Sequence, residues 1–144
     1  MKNLFFISVL LITTYTNAQN WQLNFDKSKD LASQKEQKII LVFEGSDWCA
    51  TCKKLEKNIF TTSEFIEFSN KNVVLLKADF PKRKKNRLAP TQQKHNEALA
   101  EKYNPRGVFP LVLVLDKKGN VLGTTGYKKT TPQKYIEELK TFIN

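Results

Sequence analysis

The sequence predicts an α/β sandwich in which a central mixed sheet carries helices on both faces. Three apolar runs rich in branched residues predict buried strands at 39–43, 73–80 and 111–115. Helix-compatible segments separate these runs, and strands that are joined through helices are expected to be parallel. A turn at 116–120 leads into 121–125, which predicts a closing hairpin and therefore an antiparallel edge.

The first 18 residues have the pattern of a cleaved secretory signal peptide. Lys2 gives a basic start, residues 4–12 are apolar, and Ala18 is a small residue at the expected cut. The apolar run is shorter than the about 20 residues that span a membrane. A buried N-terminal helix or an uncleaved anchor is the alternative. We expect a mature domain of residues 19–144, secreted across the inner membrane to the periplasm without stable membrane insertion.

The remaining elements follow from caps and periodicity. Thr61 and Glu64 have the spacing of a capping box, which predicts a short helix after them. Thr131 is the expected N-cap of the last helix, with Pro132 at its first position. The other predicted elements are an edge strand at 21–25 and helices at 28–38, 49–60 and 91–103.

The net charge of the chain limits the classes of partner that it can bind. The formal net charge is +10, and Lys2 is the only charged residue among the first 18. Such a balance fits a solvated lysine-rich surface, an anionic envelope surface or acidic partners, whereas export argues against nucleic acid. The densest run, residues 82–87, is either a solvated loop or a docking patch for acidic partners. We expect a monomer.

Cys49 and Cys52 are the only cysteines, and they form a CxxC pair where a buried strand gives way to a helix. Unpaired N–H groups and the positive end of the helix dipole favour a thiolate at Cys49. Lowering a thiol pKa from about 8.5 to about 7 requires roughly 2 kcal/mol, which these effects can supply. Cys52, one turn further, is expected to stay protonated and to resolve a mixed disulfide.

Other uses of the cysteine pair are weaker. Zinc would need two further nitrogen or sulfur ligands, and the chain offers only His95, which we expect at the surface of a polar helix. A purely structural bridge would close a very small loop, where the entropic stabilisation is least. A non-catalytic binding module for a partner protein or a metal is the remaining alternative. A redox role needs no cofactor, because the cysteine pair itself carries two electrons.

The motif Trp48-Cys49-Ala50-Thr51-Cys52-Lys53, followed by Gly107-Val108-Phe109-Pro110, resembles the thioredoxin superfamily. Two further stretches, 45–49 and 79–81, resemble exported bacterial thioredoxin-like proteins. Residues 47–60 are similar to the periplasmic catalytic domain of the transmembrane disulfide reductase. The resemblance extends from about residue 39 to the C-terminus and implies a thioredoxin-like sandwich.

The resemblance also implies roles for individual residues. Cys49 would attack and Cys52 would resolve, while Trp48, Phe109 and Pro110 would bind the substrate. Pro110 would be cis and would expose backbone to which a substrate strand can pair, whereas the alternative is an ordinary trans proline at a strand start. Trp48 could instead belong to the core, although a tryptophan beside an exposed thiol, as we expect Cys49 to be, fits a substrate-binding rim better.

The sequence departs from the family where a buried aspartate often lies, six positions before the first cysteine. Phe43 occupies that position, and Glu44 faces the other side of the strand, so it cannot be assumed to substitute. Glu56 lies on the same helical stripe as the two cysteines, and the related reductase domain has an acid there. Glu56 is thus a candidate catalytic proton acceptor for Cys52. The alternative is a solvent-facing side chain paired with Lys53 or Lys57.

The Gly-aromatic-Pro junction of the family is also altered. Val108 is inserted between Gly107 and Phe109, which leaves the substrate-facing loop less defined than the CxxC pair.

These observations predict a thiol–disulfide oxidoreductase that acts on disulfide-containing exported proteins through a mixed disulfide and contributes to cell redox homeostasis. The resemblance favours a reductase or isomerase. An unidentified thiol reductant or oxidant would return its cysteine pair to the active redox state. A dedicated redox partner for haem attachment or copper delivery would use the same chemistry on different clients.

Overall fold

The computed structural model describes residues 19–144, where a five-stranded sheet is covered by helices on both faces. The predicted signal peptide, residues 1–18, lies outside the described residues. The strands are β1 (Trp21–Gln22), β2 (Lys38–Glu44), β3 (Val73–Asp79), β4 (Leu111–Leu115) and β5 (Val121–Gly126). The helices are α1 (Phe25–Lys35), α2 (Ala50–Leu55), α3 (Ser63–Asn72), α4 (Pro90–Tyr103) and α5 (Pro132–Ile143). A π-helical turn (Glu56–Phe60) extends α2, and a 3₁₀ turn (Lys84–Asn86) precedes α4.

The sheet is mixed, as predicted, with the strand order β1-β3-β2-β4-β5. β1, β3 and β2 are parallel, and β4 and β5 form the antiparallel hairpin. The expectation of a parallel crossover is wrong for β4, which runs antiparallel to β2. The reason lies in residues 104–110. α4 ends at Tyr103, whose hydroxyl donates to the Gly119 carbonyl. Residues 104–110 then lead to Leu111, which pairs with Phe43 at the carboxyl end of β2, so that β4 runs back along β2.

Each face of the sheet has its own apolar core, because successive side chains of a strand point to opposite faces. Ile40 and Val42 of β2 pack against α2, the π-helical turn, α3 and α5. Ile39, Leu41 and Phe43 pack on the opposite face, against α1 and α4. The alternation along β2 therefore directs its last side chain, Glu44, to the α2 face.

Two predicted element starts need correction. The edge strand contains only Trp21 and Gln22, because Asn24 caps α1 by accepting from the Lys27 N–H and Phe25 begins that helix. The N-cap of α3 is Thr62, whose hydroxyl accepts from the Phe65 N–H. The Thr61 hydroxyl instead donates to carbonyls of the π-helical turn.

The start of α5 is confirmed. The Thr131 hydroxyl accepts from the Lys134 N–H at 3.3 Å, and Pro132 is the first helical residue.

Among residues 19–144, no helix combines the length and the apolar character that a membrane crossing requires.

His95 is not the surface residue that was expected. It is half-buried, and its Nε2 accepts from the Phe25 N–H at 3.0 Å. Phe25 opens α1, where the first N–H groups have no partner within the helix. His95 of α4 therefore ties the start of α1 to the neighbouring helix.

Candidate active site

The two cysteines are joined as a disulfide at the N-terminus of α2. Cys49 is the N-cap residue, and its backbone N–H donates to the Gly45 carbonyl at 2.9 Å. The Cys52 N–H donates to the Cys49 sulfur at 3.2 Å. The turn after β2 thus places Cys49 at the positive end of the helix, where an N–H donor stabilises negative charge on its sulfur.

The exposure of Cys49 is lower than the sequence suggested. In the disulfide form, Cys49 is 5% exposed and Cys52 is 3% exposed, so the expectation of an exposed first thiol is wrong for this state. What distinguishes the two sulfurs is their surroundings. Cys52 lines a partly open cavity, whereas Cys49 directly follows Trp48, which is 38% exposed.

An aromatic rim, formed by Trp48, Phe80 and Phe109, lies beside the disulfide. The Trp48 and Phe109 rings meet edge to face with centroids 5.4 Å apart, and Phe109 meets Phe80 at 5.6 Å. Trp48 Nε1 donates to the Phe80 carbonyl at 2.7 Å, which fixes the indole orientation. Residue 45 must be glycine, because a Cβ there would overlap the Trp48 ring. The structure thus brings Trp48 and Phe109, two of the predicted substrate-binding residues, into contact.

Pro110 follows Phe109 in a cis peptide bond, as predicted, and its side chain is buried at the start of β4. The preceding loop is held by Asn104, a buried residue that sequence reasoning missed. Its side chain donates to the Val108 carbonyl at 2.8 Å and accepts from the Val108 N–H at 2.9 Å. Gly107 adopts a φ of 63°, which only glycine accepts readily. The inserted Val108 is therefore part of an ordered turn.

A cavity of about 500 Å³ lies on the other side of the disulfide, and Cys52, Glu44, Glu56 and Lys77 all contribute to its wall. Lys77 Nζ lies 3.3 Å from Glu44 Oε1 and 3.7 Å from Glu56 Oε2. Burial raises the pKa of Glu44, and the nearby ammonium of Lys77 opposes that shift. Glu56 Oε2 is buried without a hydrogen-bond partner among residues 19–144. This inner cavity therefore presents two carboxylates to the wall that holds Cys52.

The buried carboxylate at the end of β2 belongs to Glu44, one position after the place where the family often has a buried aspartate. Phe43 itself packs into the opposite core, on the face of the sheet away from α2. Glu44 lines the same cavity as Cys52, and the alternation from Ile40 through Val42 was the signal that could have predicted this placement. The suggested pairing of Glu56 with Lys53 or Lys57 is also wrong, because its ion-pair partner is Lys77 of β3.

Asp47, two residues before Cys49, anchors the chain that follows β3. Its carboxylate accepts from the Lys82 N–H, the Arg83 N–H and the Asn86 amide, each at 2.9 Å. These donors, with the Lys82 N–H first, lower the pKa of Asp47 to about 2. Asp47 therefore stays ionised and holds residues 82–87 against the active-site turn.

A disulfide-bonded CxxC pair that caps a helix after a buried central strand, beside a cis-proline loop, defines a thiol–disulfide oxidoreductase built on the thioredoxin fold. The chain belongs to the thioredoxin-like domain family, whose model matches residues 25–143. Within residues 19–144, no group of three or more His, Cys, Asp or Glu side chains could hold a metal ion.

The chain is similar to proteins that are named as a disulfide bond reductase and as an oxidoreductase. The chain is 29% identical to the disulfide bond reductase DsbH of Chlamydia pneumoniae over 123 residues, which are 85% of this chain and 72% of that protein. A solved DsbH oxidoreductase structure superposes with a TM-score of 0.80 at 24% identity, covering 98% of this chain and 94% of that one. The oxidised C-terminal domain of Neisseria meningitidis DsbD gives 0.53 at 21% identity, covering 81% and 88%. Both superpositions establish the thioredoxin-like fold.

Proposed function

We propose that this oxidoreductase reduces disulfides of exported proteins in the periplasm, with Cys49 as the attacking thiol and Cys52 as the resolving thiol. The observation that carries the assignment is the asymmetry of the pair. Cys49 is the N-cap of α2, and its sulfur accepts a hydrogen bond from a backbone N–H. Cys52 instead lines the inner cavity, whose wall also contains two carboxylates. The reducing direction is supported by the similarity to DsbH, a disulfide bond reductase.

The first step is attack by the Cys49 thiolate on one sulfur of a substrate disulfide. The substrate S–S bond breaks, its other sulfur leaves as a thiolate, and a mixed disulfide forms on Cys49. The helix N-terminus favours this step, because its N–H groups stabilise the attacking thiolate. An isomerase would use the same step and leave resolution to another substrate thiol.

The second step needs Cys52 to lose its proton and attack the Cys49 sulfur. The mixed disulfide then breaks, the second substrate sulfur leaves, and the Cys49–Cys52 disulfide forms. Glu56 and Glu44 line the cavity wall with Cys52, and either carboxylate can receive the thiol proton. The raised pKa of Glu44 makes it a better base than an ordinary surface carboxylate.

We assign substrate binding to the aromatic rim beside the disulfide. Trp48 offers exposed aromatic surface, Phe109 packs against it, and Pro110 begins the strand beside which an extended substrate segment can lie. Two electrons leave the enzyme with each reduced substrate. A separate thiol reductant must therefore return the Cys49–Cys52 disulfide to its dithiol form.

Insulin reduction tests the assignment. With dithiothreitol as reductant, the wild-type protein should accelerate the precipitation of insulin chains, and Cys49→Ser should abolish the acceleration. Unchanged reduction by Cys49→Ser would overturn the role of Cys49. Direction is read separately from equilibrium with glutathione, because a reductant has a potential near or below about −250 mV and an oxidant one near −120 mV. An oxidising value would overturn the reductase assignment.

A further inference from the structure

Residues 82–87, the basic loop, concentrate positive charge beside the active site. Five of the six residues are Lys or Arg, and all six are exposed. No acidic side chain among residues 19–144 forms a salt bridge with any of these five cations. The charge of the loop is therefore available to an anionic partner.

The loop is fixed relative to the catalytic motif. Asp47 holds it through the two backbone N–H groups and the Asn86 amide described above. On the strand side of the loop, the Asp79 carboxylate accepts from both the N–H and the hydroxyl of Ser46, at 2.9 and 2.6 Å. Asp47 belongs to the turn that leads to Cys49, and Asp79 binds that turn through Ser46, so the backbone of the loop keeps a set position relative to Cys49.

The basic loop is also continuous with the aromatic rim. Lys82 Nζ lies 3.9 Å from the centroid of the Trp48 ring, which is a cation–π contact. A groove of about 240 Å³ separates the loop from α4, with Arg83 and Arg87 on one side and Glu97 on the other. A chain that crosses Trp48 toward Cys49 would thus meet the loop cations directly.

We propose that the basic loop docks an acidic segment of the substrate polypeptide, next to the disulfide that Cys49 attacks. The inference rests on the proposed reductase function and names its substrate class: exported proteins with Asp or Glu beside the target cystine. Complementary charge raises the rate of encounter and orients the partner, and salt weakens both effects. A polypeptide fits better than a lipid surface, because the loop is anchored to the turn that leads to Cys49 and its Lys82 contacts the Trp48 ring.

The test compares two synthetic peptides that share one disulfide ring and differ only in flanking residues, Glu in one and Gln in the other. At low ionic strength, the wild-type protein should reduce the Glu-flanked peptide with a kcat/KM about tenfold higher. The preference should shrink as NaCl is added, because screening shortens the range of the loop charges.

Two triple variants that remove the same charge locate the effect. The loop variant carries Lys84→Gln, Lys85→Gln and Arg87→Gln. The control carries Lys35→Gln, Lys118→Gln and Lys140→Gln, three exposed lysines distant in the chain from the basic loop. The ratio of the two peptide rates should fall close to one in the loop variant and stay near the wild-type ratio in the control.

The possible results separate this proposal from the one on which it rests. If the wild-type protein reduces neither peptide, the reductase function fails. If it reduces both equally, or if both triple variants lose the preference alike, local docking is overturned while reduction stands. Binding to phosphatidylglycerol vesicles that only the loop variant loses, without any peptide preference, would assign the loop to a lipid surface instead.

Discussion

The disulfide separates two regions of opposite character. The inner cavity combines two carboxylates with one ammonium, those of Glu44, Glu56 and Lys77, and Glu44 is buried. On the other side, Trp48 of the aromatic rim and all six residues of the basic loop are exposed. Proton transfer benefits from a shielded carboxylate, whereas recognition needs surface that a partner can reach. The comparison shows that the two sulfurs differ in what surrounds them more than in their exposure.

Replacing Cys52 by Ser should have the largest effect on activity, because it removes the thiol that lines the inner cavity. The Cys49 thiolate would still attack, but no thiol could resolve the mixed disulfide. Turnover with insulin should be lost, and insulin chains should remain bound to Cys49. Mass spectrometry under non-reducing conditions would detect the adduct. An adduct on Cys52 in the reciprocal Cys49→Ser variant, formed equally fast, would contradict the asymmetry.

The double variant Glu44→Gln/Glu56→Gln should have the next largest effect. It keeps the shape of both side chains and removes the acceptors for the Cys52 proton. We expect kcat to fall by about 100-fold, within the range of general base catalysis. Steady-state rates with insulin and with hydroxyethyl disulfide should fall alike, since the cavity acts after substrate has been attacked.

A selective loss with only one of these two substrates would place the carboxylates in recognition instead. Circular dichroism would show whether the variant remains folded with the Lys77 ammonium unpaired.

The contribution of Asp47 to the stability of the protein should decrease at acid pH. Its pKa in the folded protein is about 2, below the ordinary value of 3.8, so its stabilisation is complete above about pH 4 and is lost as the pH falls toward 2. The stability difference between the wild type and Asp47→Asn should therefore shrink over this range. Urea unfolding at pH 5, 4 and 3 would measure it. A constant difference would mean that the carboxylate charge contributes nothing to the anchor.

Substituting His95 should have the smallest effect and leave both regions intact. His95→Ala removes the acceptor of the Phe25 N–H, and we expect a loss of about 1 kcal/mol in the free energy of unfolding. His95→Gln keeps a possible acceptor and should recover part of that loss. Insulin reduction should not change in either variant. A fall in activity without a fall in stability would connect α4 to the active site.

Local patterns predicted the parts of this site that are close in sequence. The CxxC pair at a helix start, the strand at 111–115 and the Thr131 cap all depend on neighbouring residues, and the structure confirms them. The cis-Pro110 came from the family resemblance rather than from any local physical signal.

The missed features join residues that are distant in the chain. Asp47 contacts the basic loop 35 to 39 residues later, and Lys77 pairs with Glu44 across neighbouring strands. Such contacts depend on strand order and register, which periodicity does not determine. The low exposure of Cys49 has the same origin, because tertiary packing of the turn and loops sets it.

Timed acid quenching of a single turnover with insulin tests the division between cavity and rim most directly, since mixed and intramolecular disulfides can be counted at each time. Trp48→Ala should slow only the formation of the mixed disulfide. Glu44→Gln/Glu56→Gln should slow only its conversion to the Cys49–Cys52 disulfide. If each variant slowed both steps by the same factor, the two regions would not have separate roles.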